Sequence, residues 1–286
     1  MRCLHPRTIK NPKVWYECRI FEDGYLSPTG DLLPATIQVP CGKCIACEQN
    51  KRATWAARME KESQFFDTYF VTLTYNEECC PDQLVKKDLQ DFFKRLRKFL
   101  KIRYFACGEY GDRFGRPHYH FIGFCCKGSC TPDQFSDFVN RSWQKGFIKV
   151  DPASLDRFRY VAKYICKSFF YPFVVQDKQP PFALMSRRPG IGLKWLESSF
   201  AYNLDFLTLS DGSKIGTPRY FLDKMDPVLS TRIRTDKLLN SVRTESFYRR
   251  LYGSNYENLK SLAAINYEET QFSILRKKYY GKSDSN

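Results

Sequence analysis

The sequence has no apolar run approaching the roughly 18 residues that a transmembrane helix needs, so a helical membrane span is excluded. The opening MRCLHPRTIKNPK carries no apolar stretch behind its basic residues, so no secretory signal is expected. There is no internal repeat and no low-complexity block. Without an export signal, the twelve cysteines are not expected to form a disulfide framework; reduced thiols or metal ligands in a cytoplasm fit better. Acidic residues are in deficit, 31 against 46 Lys and Arg, and the net charge of +15 favours a polyanionic partner, most commonly nucleic acid. Histidine is the scarcest residue. There are three in 286 residues, yet two of them flank one tyrosine in RPHYHFIGF, residues 116–124.

What is present describes a folded chain: 43 % hydrophobic and 16 % aromatic residues, at a length that suits one large domain or two modest ones. TYFVTLTY (68–75), IRYFACGE (102–109) and HYHFIGF (118–124) read as strands from their β-branched and aromatic content and period of two. Residues 84–101 carry the apolar stripe of an amphipathic helix with a basic opposite face. TPDQFSDFVNRSWQKG begins with a Thr131 cap and Pro132 at the first helical position, and 152–170 reads as a further helix. The expected fold is α+β, a central antiparallel sheet with flanking helices over 62–172. An N-terminal Cys-rich segment (1–61) precedes it, and a basic C-terminal extension without an assignable role (173–286) follows.

In a strand, His118 and His120 face the same side while Tyr119 and Phe121 face the other, with the imidazoles roughly 6.5–7 Å apart at Cβ. Two such rings can converge on one divalent ion. The preceding strand ends in Glu109, and the short loop between lets the two strands pair, so Glu109 can add a carboxylate oxygen. Asp112, in the loop, is the alternative third ligand. Two imidazoles and a carboxylate leave positions open for substrate oxygens, which is a catalytic arrangement rather than a closed structural one.

RYVAKYICK (159–167) holds Tyr160, Lys163 and Tyr164. At about 100° per residue the two tyrosines lie about 40° apart and opposite the apolar stripe of Leu155, Phe158, Ala162, Ile165 and Phe169. A phenol is a weak nucleophile near neutrality because its pKa is about 10. An ammonium such as that of Lys163 stabilises the phenolate, and a metal polarises the phosphate it attacks. The product is a tyrosine–phosphate ester that keeps the energy of a cut strand for rejoining, and two adjacent tyrosines allow two successive transfers.

YFVTLTY, GEYGDRFGRPHYHFIGF and YVAKYICK together resemble the three ordered motifs of the HUH rolling-circle replication initiators, with the two-tyrosine pattern at Tyr160 and Tyr164. CLHPRTIKNP, CGKCIAC, SRRPGIGLKWLE and TPRYF are similar to segments of the initiators of gokushovirus-type microviruses, small single-stranded DNA phages of bacteria. The resemblance implies an RRM-like palm and a Mg²⁺- or Mn²⁺-dependent endonuclease and strand transferase. It places the metal on Glu109, His118 and His120 and the nucleophiles on Tyr160 and Tyr164. It also implies a nick at an origin, a 5′-phosphotyrosine link, displacement of the strand by a host helicase and polymerase, and circularisation in the bacterial cytoplasm. DNA, as origin duplex and single strand, is the partner; no membrane is. The absence of a GxxxxGK[ST] loop argues against an attached helicase. A non-catalytic protein that binds or packages single-stranded DNA is the alternative reading.

PCGKCIACEQNKR spaces Cys41, Cys44 and Cys47 at three-residue intervals, the spacing of a zinc knuckle, with Cys3 or Cys18 as fourth ligand and Cys3 preferred. The basic face of the 84–101 helix, with Arg95 and Lys98, suits either a DNA backbone or ordinary solvation. Arg113 and Arg116, in the loop before the histidines, are the better candidates for phosphate contact.

Overall fold

A computed structural model of the chain describes residues 3–11, 19–21, 24–26, 32–111, 115–165, 178–198 and 204–280. The chain divides into two compact units, one formed by residues 49–229 and one by 1–48 with 230–286. Five short strands come first, β1 (Arg7–Lys10), β2 (Arg19–Phe21), β3 (Gly24–Leu26), β4 (Leu32–Pro34) and β5 (Thr36–Val39), followed by helix α1 (Ile45–Ser63). Next are β6 (Phe66–Tyr75), α2 (Lys86–Leu96), β7 (Ile102–Tyr110), β8 (Pro117–Cys126), α3 (Pro132–Trp143), β9 (Gly146–Pro152) and α4 (Leu155–Ala162). Then come β10 (Phe182–Met185), α5 (Leu193–Ser198), β11 (Phe206–Thr208), β12 (Lys214–Gly216), α6 (Arg219–Leu222) and two long helices, α7 (Pro227–Tyr252) and α8 (Tyr256–Tyr280).

The larger unit is an α+β structure around a five-stranded antiparallel sheet ordered β10-β7-β8-β6-β9. The period of two along each strand decides what each face buries. On one face Val71, Leu73, Ala106, Tyr119 and Phe121 pack against Leu89, Phe92, Phe93 and Leu96 of α2 and Phe135, Val139 and Trp143 of α3. On the other, Phe70, Phe105, Cys107, Ile122 and Phe124 meet Ala56 and Met59 of α1 and Phe158, Val161 and Ala162 of α4. Each fully buried side chain of this size contributes about 1.5–3 kcal/mol, so the apolar stripe alone is enough to hold α2 to the sheet.

Local signals set the helix starts. Thr131 accepts from the Gln134 amide at 3.2 Å and donates its own amide to the Gln134 side chain at 3.0 Å, closing a capping box ahead of Pro132. A buried ion pair ties α1 to β7. Arg103 Nε lies 2.5 Å from Glu62 Oε1, and the other Glu62 oxygen accepts from the Gly192 amide at 2.7 Å.

Two features differ from the sequence expectations. Strand β10 lies beyond residue 172 and pairs with β7, so the sheet extends past the expected boundary. The helix expected over 152–170 is shorter, ending at Ala162, with residues 163–165 in a 3₁₀ turn and 166–170 outside the described residues. In the smaller unit β1 pairs with β5, and Glu245 of α7 accepts from Tyr256 Oη at 2.8 Å and Lys260 Nζ at 2.9 Å, joining α7 to α8.

Candidate metal and tyrosine site

The register of β7 on β8 assembles the first part of the site. Glu109 lies directly opposite His118, and His120 opposite Cys107, so the carboxylate is also the diagonal neighbour of His120 on the same face. Glu109 Oε1 is 3.1 Å from His118 Nε2 and 2.8 Å from His120 Nε2. The expectation that both histidines share a face with Glu109 therefore matches the geometry. Neighbouring ligands around an octahedral ion with bonds of about 2.1 Å lie about 3 Å apart. Both separations suit a divalent ion held jointly, and one ligand atom from each residue falls within 4.8 Å of the others.

A second layer orients these ligands. His118 Nδ1 is 3.2 Å from the Arg116 carbonyl, which can only accept, so Nδ1 carries the hydrogen and Nε2 keeps its lone pair toward the site. His120 Nδ1 is 2.9 Å from the Thr72 hydroxyl, and the Phe70 ring stacks on His120 at 5.5 Å. Burial pushes His120 below the usual histidine value, against the opposing pull of Glu109. That favours the neutral ligand form.

Helix α4 and the turn after it supply the rest. Tyr160 Oη donates to Glu109 Oε1 at 2.9 Å and lies 3.4 Å from His120 Nε2. The Tyr164 ring is 5.4 Å from that of Tyr160 and stacks near His120 at 6.3 Å. Lys163 Nζ lies 4.0 Å from the Tyr160 ring centre and 4.6 Å from that of Tyr164, a cation over two π faces.

The tyrosines depart from the sequence reading in one respect. The helical wheel puts them off the core side of the helix, but Tyr164 is 2 % exposed and belongs to the cluster of Phe158 and Val161, with Tyr160 packed against it. The tightening after Ala162 explains part of this, since a 3₁₀ turn advances about 120° per residue and swings Tyr164 toward the sheet. Burial, and then the Glu109 charge, hold both phenols above the ordinary tyrosine value.

Of the expected DNA-contacting residues, Arg116 borders the site, donating to the Tyr75 carbonyl at 3.1 Å and lying 3.8 Å from Glu77. Arg95 and Lys98 do not join it, because α2 packs on the sheet face opposite the histidines. Arg95 instead donates to the Ser142 carbonyl at 2.7 Å, closing the end of α3. Arg113 and Asp112 lie outside the described residues. Sequence reasoning missed Thr72 and Phe70; the available signal was their place at alternate positions of the 68–75 strand.

Within the smaller unit, Cys3, Cys41, Cys44 and Cys47 bring their sulfurs within 4.8 Å of one another. Cys18, the rival fourth ligand, lies outside the described residues. Cys3 and Cys44 sulfurs are 3.7 Å apart and those of Cys41 and Cys47 3.9 Å. Four thiolates around a tetrahedral ion at about 2.3 Å would be about 3.8 Å apart, so the set fits such an ion. Burial works against it, but the Lys43 and Cys44 amides and the neighbouring thiols bring Cys41 down to about 6.

A carboxylate, two imidazoles and two phenols on one sheet face define a class, and sequence comparison gives the same one. Residues 68–169 match the family of the replication-associated protein ORF2. The chain is 30 % identical over 213 residues to the replication-associated protein VP4 of Bdellovibrio phage phiMH2K, covering 66 % of this chain and 68 % of that one. It is 30 % identical over 221 residues to the replication-associated protein ORF2 of Spiroplasma virus 4, with the same two coverages, 66 % and 68 %. To the replication-associated protein ORF4 of Chlamydia phage 1 it is 28 % identical over 219 residues, 67 % of this chain and 54 % of the relative. No solved structure matches the chain. The chain belongs to the replication-associated proteins of the microvirus-type single-stranded DNA phages.

Proposed function

We propose that this replication protein cuts one DNA strand at the phage origin, keeps the 5′ end on a tyrosine and later rejoins it to circularise the displaced strand. The observation that carries the reading is the convergence of Tyr160 Oη and both histidine Nε2 atoms on one Glu109 oxygen. A divalent ion, Mg²⁺ or Mn²⁺, held by Glu109, His118 and His120 would supply positive charge to the scissile phosphate.

The chain's own residues do the rest. Tyr160 or Tyr164 loses its phenolic proton, with Glu109 or His120 within reach as acceptor for Tyr160. The phenolate oxygen bonds to phosphorus as the P–O3′ bond breaks. The leaving 3′ oxygen takes up a proton, giving a free 3′-hydroxyl and a 5′-phosphotyrosine. Lys163, against both rings, offsets the developing charge. The second tyrosine repeats the exchange when the origin is regenerated, and attack of a 3′-hydroxyl on the ester closes the circle. Energy is conserved through the ester, so no nucleotide cofactor is required.

The wider setting is DNA, as duplex origin and single strand, together with a host helicase and polymerase in the bacterial cytoplasm. In keeping with that, no helix among the described residues is long and apolar enough to cross a membrane. The four cysteines are read as a structural Zn²⁺ site, supported by their tetrahedral spacing. Segments 1–61, 62–172 and 173–286 remain our working division of labour, with β10 added to the endonuclease part.

The test is to incubate the protein with Mn²⁺ or Mg²⁺ and single-stranded origin DNA and look for a protein–DNA adduct that survives denaturation. Adduct is expected from the parent and lost with chelator or with the Tyr160→Phe/Tyr164→Phe double variant. Salt-sensitive binding without any adduct would favour the non-catalytic reading.

A further inference from the structure

Residues directly opposite one another in antiparallel strands point to the same face. One row across β7, β8, β6 and β9 runs Glu109, His118, Thr74, Phe147, and the next runs Cys107, His120, Thr72, Lys149. Phe147 and Lys149 therefore lie on the histidine face. Two strand spacings of about 4.8 Å put Phe147 about 10 Å from His118. Phe147 is 69 % exposed and the Lys149 side chain 73 % exposed, whereas the other aromatics of the sheet are packed into its two cores.

The ring is held at the mouth of a cavity. A space of about 580 Å³ is lined by residues 74–78, Arg116 and Phe147, within the size range of small-ligand sites. Gly146 sets the approach. Its φ is +147°, and a Cβ there would collide with the backbone of residues 74–76, so only glycine lets β9 press this closely on β6. The Asn76 amide also donates to the Lys145 carbonyl at 3.0 Å.

An exposed ring beside a cation on an open sheet surface is a platform for single-stranded nucleic acid, the base stacking and the phosphate pairing with the charge. The acidic side of the cavity narrows the choice. Glu77 and Glu78 repel phosphate but accept hydrogen bonds from exocyclic amino groups, as acidic side chains do with cytosine. We propose that the cavity beside Phe147 receives one unstacked base bearing an exocyclic amino group, with Lys149 on a neighbouring phosphate, and so helps to choose where the strand is cut. The proposal rests on the strand-cutting reading for its consequence but not for binding itself.

The test has two arms. In the first, the full chain with Mn²⁺ meets a library of randomised single-stranded oligonucleotides, and denaturation-resistant adducts are sequenced. Thymine is expected to be depleted at one position close to the cut. Phe147→Ala should flatten that position alone and lower capture by about 5- to 150-fold, the range for loss of one base–aromatic stack; Phe147→Trp should keep the bias. In the second arm, anisotropy in EDTA compares oligo(dC) with oligo(dT), and Phe147→Ala should erase the preference for oligo(dC). An unchanged bias or preference in Phe147→Ala overturns the pocket. Absence of adduct with the preference intact overturns the cutting mechanism and leaves the pocket standing.

Discussion

Replacing Thr72 with valine keeps the β-branched shape of the strand and removes one hydroxyl. That hydroxyl is 2.9 Å from His120 Nδ1, and the His120 side chain is only 8 % exposed, so water has little access to take its place. A buried polar group left without its partner costs about 1–3 kcal/mol. Outer partners of metal-binding histidines are typically worth about 10- to 100-fold in metal affinity, or about 1.4–2.8 kcal/mol. The two ranges overlap. Thr72→Val is therefore expected to weaken Mn²⁺ binding about 10- to 100-fold, read from free Mn²⁺ by electron paramagnetic resonance during titration, and adduct formation should recover at high Mn²⁺. Thr72→Ser, which keeps the hydroxyl, should bind within a few-fold of the parent. Equal affinities for Thr72→Val and the parent, or equal losses for serine and valine, would refute the role given to this residue.

Other outcomes test separate parts of the structure. Glu62→Gln leaves Arg103 without its partner in a buried setting; a loss of about 3–5 kcal/mol is expected and should appear as a fall in the denaturation midpoint at unchanged slope. With Cys41 at about 6 and burial pushing Cys47 above the ordinary thiol value, the lowered thiol is ionised above pH 6 and protonates below it. In chelator-treated protein at about pH 7, iodoacetamide should label Cys41 well before Cys47, its rate falling as pH drops through about 6, and added Zn²⁺ should protect both. Equal labelling rates would contradict this. Loss of zinc from Cys41→Ser, measured by native mass spectrometry, should be complete, since three thiolates do not replace the closed set.

The parts of the site legible in the sequence were those fixed by short-range periodicity. His118 and His120 had to share a face, and the turn-rich loop after Glu109 placed that carboxylate across from them; the register of β7 on β8 bears this out. Thr72 was not legible, because only the pairing of β6 with β8 brings it to a histidine 48 residues away. Tyr164 was misjudged because a helical wheel assumes the helix continues, and this one tightens after Ala162. Arg95 shows how a basic helix face misleads: its charge suited DNA, but its guanidinium closes the end of α3. Four apolar residues at 182–185 were too short to announce a fifth strand. The long α7 and α8 escaped notice because apolar residues such as Phe247, Leu251, Leu262 and Ile274 remain exposed rather than forming one buried stripe.

Whether a phenol near Glu109 becomes the covalent carrier of a cut strand is measured most directly by mass spectrometry of the protease-digested adduct. A 5′-nucleotide phosphate on Tyr160 or Tyr164, formed only with divalent metal and lost with Glu109→Gln, is the predicted result. A nucleotide on any other residue, or on a 3′ end, would contradict it.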